Sequence, residues 1–381
     1  MNATGGGAGP AKAGRGGERP ADARRSSEGP ANARARHVVL VTYGEPPEPW
    51  FGAQLKYSWR ILLGLTRSVA PIPLVALPMI ALARARFRTS LWRTESYRSP
   101  LEPLTRTQAD ALETALRRAD SGTQWQVHVA YEFRDPLLPS LLDQLAGRGP
   151  VDVAAMYLAD SAFTHELTRR CVEAWRARNS GADVRVLPAL DSGAIAGVLA
   201  GHIEREIEAR RLATGPDTAL VLAAHGTLLA PPRPIETGRV ATESIASEIS
   251  RRLAPRFGRI TLGWLNHVYG GRWTEPPADV ALREIEQAGF RNVIYYPFGF
   301  LADNAESQLE GRIALRVAPG VKSTHLPCLN SEPGFIQLLA RQVLAPRVSS
   351  AAHRSVPAAA APAANGRARS APAAERTRSA R

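Results

Sequence analysis

Two stretches of this chain have the composition of strands that water never reaches, and both end alike. Residues 37–43 (HVVLVTY) form an unbroken apolar run closed by Gly44, and residues 219–224 (ALVLAA) form another, closed by His225 and Gly226. An apolar run without polar alternation is what a parallel strand requires, because helices cover such a sheet on both faces. The intervening text obeys the same rule. Residues 104–119, 137–146, 167–178, 237–253 and 279–287 carry helical spacing, whereas 126–131, 151–157, 184–187, 260–265 and 293–297 are short and strand-like. Alternating β and α elements predict an α/β fold with parallel sheets.

The theme restarts midway. LVTYGEPP at 40–47 and LAAHGTLL at 222–229 share one form: apolar strand, key residue, glycine, short loop. Two similar doubly wound lobes are expected, 37–200 and 201–347, with a cleft between them. Such folds bind ligands at the C-terminal ends of their strands. Tyr43 and His225 fall at equivalent places, so they are expected to approach one flat ligand from opposite sides.

The ends of the chain are different text. Residues 1–36 and 348–381 are Gly, Ala, Pro, Ser and Arg with almost nothing large and apolar, a composition that predicts disorder. They also explain the charge. Of the formal +13, residues 1–36 carry +4 and residues 347–381 carry +6, which leaves +3 for the core and no specific nucleic-acid surface. Cys171 and Cys328 stand far apart and outside any CxxC, so neither a disulfide framework nor a cysteine-held zinc or iron–sulfur cluster is expected. No signal peptide is visible, and a cytoplasmic location is expected. Residues 69–83 (VAPIPLVALPMIALA) are the most apolar stretch, too short to span a bilayer and interrupted by Pro71, Pro73 and Pro78. They suit either a greasy lip with peripheral membrane contact or a core segment.

Two groups of residues carry chemistry. His225 stands where a buried strand ends, and a neutral imidazole there can ligate a metal or take a proton. In GFLADNAESQLE at 299–310, Asp303, Glu306 and Glu310 recur at i, i+3 and i+7, one face of a helix expected over about 304–317. Carboxylates a turn apart attract a cation or hold raised pKa values. A histidine opposite a carboxylate ladder suits removal of protons from a bound weak acid and guidance of a divalent metal.

At this point the chain resembles the ferrochelatases, over residues 37–346. VTYGEPP is similar to that family's strand ending in (Y)GTP, SPLEPLTRTQ at 99–108 to SPL…T..Q, and AAHGT at 223–227 to the strand with the catalytic histidine. YYPFGFLADNAESQLE at 295–310 resembles P(I/V)GF(V/A)(S/A)DH(I/L)E, and LPCLNSEPGFIQLLA at 326–340 resembles the closing R.P.LN..P.FI..L. GWLNHVYGGRW at 263–273 matches the (Y/W)QS…W segment loosely. The resemblance implies His225 and Glu306 as catalytic residues, with Glu310 next on a metal or proton path. It further implies Tyr43, Ser99 and Arg98 as porphyrin-binding residues, and Tyr43 together with Trp264 suits a coproporphyrin.

Four positions depart from the pattern. Asn304 replaces a common histidine, Ala314 ends the acidic series, Leu265-Asn266 stands for a Gln-Ser pair, and Asp160 stands for a tyrosine. The implied reaction is insertion of Fe2+ into coproporphyrin III or protoporphyrin IX with loss of two protons, with no cofactor beyond the substrate iron. A cobalt or nickel tetrapyrrole chelatase and a non-catalytic porphyrin- or haem-binding relative remain as alternatives. Oligomeric state is left open.

Overall fold

In the computed structural model, which describes residues 35–69, 72–266 and 271–347, the two halves repeat one topology. The first sheet is built from β1 (Ala35–Thr42), β2 (Gln124–Tyr131), β3 (Val151–Ala155) and β4 (Val184–Val186). Between β1 and β2 run α1 (Phe51–Ser68), α2 (Leu77–Thr94) and α3 (Leu101–Ala119). Helices α4 (Leu138–Leu145) and α5 (His165–Arg176) follow β2 and β3. The second half contains α6 (Ser192–Arg210), β5 (Gly215–His225), α7 (Arg239–Leu253), β6 (Phe257–Leu265), α8 (Ala278–Gln287) and β7 (Asn292–Tyr296). A π-helix (Ala305–Glu310) running into α9 (Gly311–Leu315), then β8 (Lys322–His325) and α10 (Pro333–Leu344), complete it. All pairs are parallel, in the orders β2-β1-β3-β4 and β6-β5-β7-β8, so each strand has a counterpart in the other sheet.

The expected dry strands are dry. Val38–Val41 and Ala219–Ala223 have no exposed surface, which places β1 and β5 at the centre of their sheets with packing on both faces. Core clusters repeat the arrangement, with Val39, Val41 and Val153 against α4 and α5, and Val221, Val293 and Tyr295 against α8.

Several boundaries move. The tails expected at 1–36 and 348–381 lie outside the described residues, except Ala35 and Arg36, which already belong to β1. Arg36 donates to the buried Asp152 at 3.0 Å and lies over the Trp125 ring, so the first ordered strand starts two residues earlier than its apolar text. Residues 200 and 201 fall inside α6. That helix packs on α7, and His202 Nε2 donates to the Pro327 carbonyl at 3.1 Å, so the chain changes lobes before α6, not at 200. Helix α10 returns to the first lobe, where Gln342 donates to Pro188 O at 2.8 Å and Arg185 to Val343 O at 3.0 Å. Both sheets belong to one compact unit that runs through Val343.

The apolar stretch at 69–83 is divided. Pro78 sits in the first turn of α2, where a missing N–H costs nothing. Leu77 and Ala81 are buried in the α1–α2 interface, whereas Leu74, Val75 and Met79 are largely exposed. The core expectation holds for Leu77 and Ala81, while the apolar side chains before and at the start of α2 are left on the surface. Among the described residues no helix is long and apolar enough to cross a membrane.

The glycines that close β1 and β5 are required by close approach. Gly44 has φ +74°, and a Cβ there would overlap the Tyr131 side chain. A Cβ at Gly226 would overlap Asn266 Oδ1. Gly44→Ala is expected to destabilise by roughly 1–3 kcal/mol for backbone strain plus a further increment for overlap. Gly147 also has φ +74° but open space around it, so Gly147→Ala supplies the strain alone. Urea midpoints at constant m-value measure both, and equal losses would show that Tyr131 yields freely.

Candidate active site

His225 is the last residue of β5, beyond the point where both faces are covered, and its side chain is 43 % exposed. Its Nδ1 lies 2.6 Å from the Gly226 carbonyl. A carbonyl only accepts, so Nδ1 carries a hydrogen and Nε2 is the ring nitrogen turned toward Glu306. That Nε2 is 3.8 Å from Glu306 Oε2. The distance is too long for a hydrogen bond. It does suit two donors to one metal, since bonds of about 2.1 Å each separate the donor atoms by at most about 4.2 Å. The histidine and the glutamate that the sequence singles out thus stand side by side.

The helix carrying Glu306 is not the α-helix expected over 304–317. Its hydrogen bonds close five residues apart, so a turn holds more than four residues, and Glu306 and Glu310 lie nearly in line along one face. Asn304 starts it: its side chain accepts from Glu306 N at 2.9 Å and Ser307 N at 3.1 Å, while Ser307 Oγ accepts from Asn304 N at 2.9 Å. This reciprocal cap gives Asn304 a role at the position where the related pattern has histidine. His325 Nε2 donates to Ser307 O at 2.8 Å from β8, and its ring stacks on Tyr295. Asp303 does not join the carboxylate face. It is buried, accepting from Cys328 N and Asn330 Nδ2 at 2.9 Å each. Ala314, one turn past Glu310, packs against the second-lobe core.

Tyr43 and His225 line one cavity of about 210 Å³, with apolar walls that include Leu65, Phe163, Ile235 and Trp273. Glu306 lines the adjoining smaller cavity, which shares Tyr43, Tyr157 and Phe300 with the first. Tyr43 donates its hydroxyl to Phe163 O at 3.2 Å, and burial, followed by the charges of Glu132 and Glu306, holds its phenol far above the ordinary range.

Three expected contacts are not at this cavity. Ser99 is buried and donates its hydroxyl to Glu45. Arg98 is exposed, paired with Glu48 at 2.8 Å in a separate surface depression. Trp264 is fully buried in β6, and the indole at the cavity is that of Trp273. SPL resembles a substrate-binding pattern, but the loop after β1 has Glu45 to occupy Ser99 and Glu48 to pair with Arg98. Asp160 forms a bidentate pair with Arg169 at 2.8 and 3.0 Å. Asn266 donates to Thr274 O at 2.8 Å, and Thr274 Oγ1 accepts from Thr227 N at 3.1 Å, which fixes the loop after His225.

Sequence reasoning also missed Glu132, which the text YEFRDP after an apolar run left unmarked. Tyr157, a cavity residue, donates to its Oε2 at 3.0 Å, and Thr168 donates to its Oε1 at 2.8 Å. Burial outweighs both bonds and pushes the carboxyl up to about 8 from an ordinary 4.5. Folding therefore favours the protonated form, and its contribution to stability is lost as pH rises from 4.5 through about 8. Replacing Glu132 by Gln is expected to stabilise the protein increasingly across that window, by on the order of a few kcal/mol at its upper end. Chemical denaturation at several pH values tests this. A difference between the two proteins that does not vary with pH would mean an ordinary carboxyl.

Among the described residues no group of three or more His, Cys, Asp or Glu forms a ready metal cage, and both cysteines are free thiols. The family model for ferrochelatase matches residues 36–346. The ferrochelatase of Stenotrophomonas maltophilia is 28% identical over 327 residues, covering 81% of this chain and 97% of that protein. The ferrochelatase of Xylella fastidiosa is 27% identical over 322 residues, covering 80% and 95%. Among solved structures, SirB from Bacillus subtilis with Fe3+ superposes with TM-score 0.47 at 10% identity, covering 81% of this chain and 94% of its own. CbiX, the terminal enzyme for biosynthesis of siroheme in denitrifying bacteria, gives 0.44 at 18% identity, covering 81% and 98%. With the match running through both sheets and the paired His225 and Glu306, this chain belongs to the ferrochelatase family.

Proposed function

We propose that this protein inserts Fe2+ into a porphyrin, releasing two protons, as a step of haem synthesis. The observation that carries the reading is His225 Nε2 facing Glu306 Oε2 across 3.8 Å, beside a cavity that His225 shares with Tyr43. A porphyrin N–H is a very weak acid, so metal entry needs a base at the macrocycle, and a neutral imidazole is one at physiological pH. His225 takes a pyrrole proton or holds the arriving metal, and Glu306 takes the complementary role. Iron is substrate here, and the reading needs no resident cofactor or iron–sulfur cluster. Glu310, one turn along the π-helix, receives the metal first.

The cavity is smaller than the roughly 300–1,000 Å³ of an enclosed small-molecule site, so it accepts one part of a large flat ring and leaves the rest in the open cleft. Its apolar walls suit the ring face. Tyr43 at this wall favours coproporphyrin III over protoporphyrin IX. Ser99 and Arg98 no longer support that choice, because each is committed to a glutamate. Exposed Leu74, Val75, Met79 and Phe87 support peripheral contact with a membrane surface from the cytoplasmic side. The loss of an acidic side chain at Ala314 favours the second reading, a porphyrin-binding relative without turnover.

Anaerobic steady-state kinetics with both porphyrins separates these readings. Coproporphyrin III is expected to turn over faster than protoporphyrin IX with Fe2+, and the reverse order would remove Tyr43 as the selecting residue. Competition with Co2+ and Ni2+ tests the metal. His225→Ala is expected to lower turnover by at least about 100-fold, the scale of a positioned acid–base group. Glu306→Gln should also slow metallation, while Glu310→Gln should act mainly on apparent affinity for Fe2+. Porphyrin fluorescence should report near-normal binding in all three. Tight binding by a wild type that never turns over would put the non-catalytic reading first.

A further inference from the structure

Glu45 is a carboxylate that the proposed chemistry does not use, in a place where a carboxylate is costly. It lies two residues beyond Tyr43 and is 6 % exposed. Burial raises its pKa, against the pull of Arg88 and the bonds from Ser99 and Ala305. Every oxygen has a partner. Oε1 accepts from the Ser99 hydroxyl and, at 2.9 Å, from the backbone N–H of Ala305, a residue 260 positions away in the other lobe. Oε2 faces Arg88 at 3.5 Å. Arg88 is itself held, donating to Gln54 at 2.9 Å and lying over the rings of Tyr57 and Trp92.

Ala305 is the first residue of the π-helix, and its N–H is one of the donors that a helix start leaves without an internal partner. Asn304 satisfies the next two, those of Glu306 and Ser307. Glu45 therefore completes the cap from the opposite lobe. The same loop carries Tyr43 at one end and grips the segment bearing Glu306 at the other. We propose that Glu45 is a positioning residue, an inter-lobe clamp that sets Glu306 against His225 and in register with Tyr43. Ser99 and Arg88 serve it by fixing its carboxylate.

This inference rests on the ferrochelatase reading for its kinetic test, and a second readout is independent of that reading. In the full-length protein, Glu45→Ala is expected to lower kcat by about 10- to 100-fold, the scale of a displacement of reacting groups by an ångström or less. Porphyrin affinity should stay near that of wild type. Glu45→Gln keeps an oxygen for the Ala305 N–H and should recover kcat to within about 3-fold of wild type. If the residue acts only by placing Glu306, then adding Glu45→Ala to Glu306→Gln should cost less than about 2-fold more. Multiplying losses in that pair, or a Glu45→Gln protein as slow as Glu45→Ala, would overturn the clamp and leave Glu45 a general packing element. Ser99→Ala loosens the carboxylate without removing it, and should show the same kcat-only loss in milder form should Glu45→Ala fold poorly. If wild type metallates no porphyrin, the functional reading falls by itself. The clamp is then read from the His225 imidazole titration by NMR: Glu45→Ala must displace it in the same direction as Glu306→Gln does, and an undisturbed titration sinks the proposal.

Discussion

Covering both faces of a parallel strand leaves one place on that strand where a side chain can meet a ligand, its C-terminal end. The rest of this structure follows from that constraint. β1 and β5 are dry through Val41 and Ala224, and Tyr43 and His225, just past the one strand and at the end of the other, line the cavity there. The glycine after each is forced by what crosses the strand end, Tyr131 in one lobe and Asn266 in the other. Identical strand orders bring these ends to one cavity. One topology used twice thus supplies two walls of one cavity, with a phenol on one and an imidazole on the other.

The second requirement is a stiff arm for Glu306. A π-helix of six residues cannot hold itself, since short helices gain little from their own hydrogen bonds. It is held from three directions: Asn304 caps it locally, His325 holds the Ser307 carbonyl from β8, and Glu45 takes the Ala305 N–H from the first lobe. Several partners here are polar groups buried by the fold, where a satisfied bond is strong and a broken one costly. Such an arrangement favours a single position for Glu306.

The fold was legible where periodicity alone decides. The dry runs at 37–43 and 219–224 named the central strands, and the repeat of strand, key residue and glycine named the two lobes. His225 was legible as the residue that ends a dry run, and Glu306 as the middle of an acidic series in the loop and helix after β7. What stayed hidden depends on partners distant in sequence. Nothing local distinguishes Asp303, which is locked to Cys328 and Asn330, from Glu306, which faces an imidazole. Ser99 looked like a ligand contact because its taker, Glu45, is fifty-four residues away. The i, i+3, i+7 spacing predicted a shared α-helical face, and the π-helix keeps Glu306 and Glu310 together while dropping Asp303.

The carboxylates of this site therefore divide by what surrounds them. Asp303 and Glu45 are buried with each oxygen accepting a bond or facing a cation, and Glu132 accepts from two hydroxyls while burial favours its protonated form. A group so occupied resists a metal, because the ion must first displace a bond made in a region of low dielectric. Glu306 and Glu310 stand half-buried on one face of the π-helix, and Glu306 meets the imidazole at a distance that a metal can bridge. The same chemical group is thus framework in one setting and, in the proposed chemistry, reagent in another. The difference lies in where each side chain stands: Asp303 and Glu45 are buried in the framework between segments distant in sequence, whereas Glu306 lines a cavity and faces an imidazole.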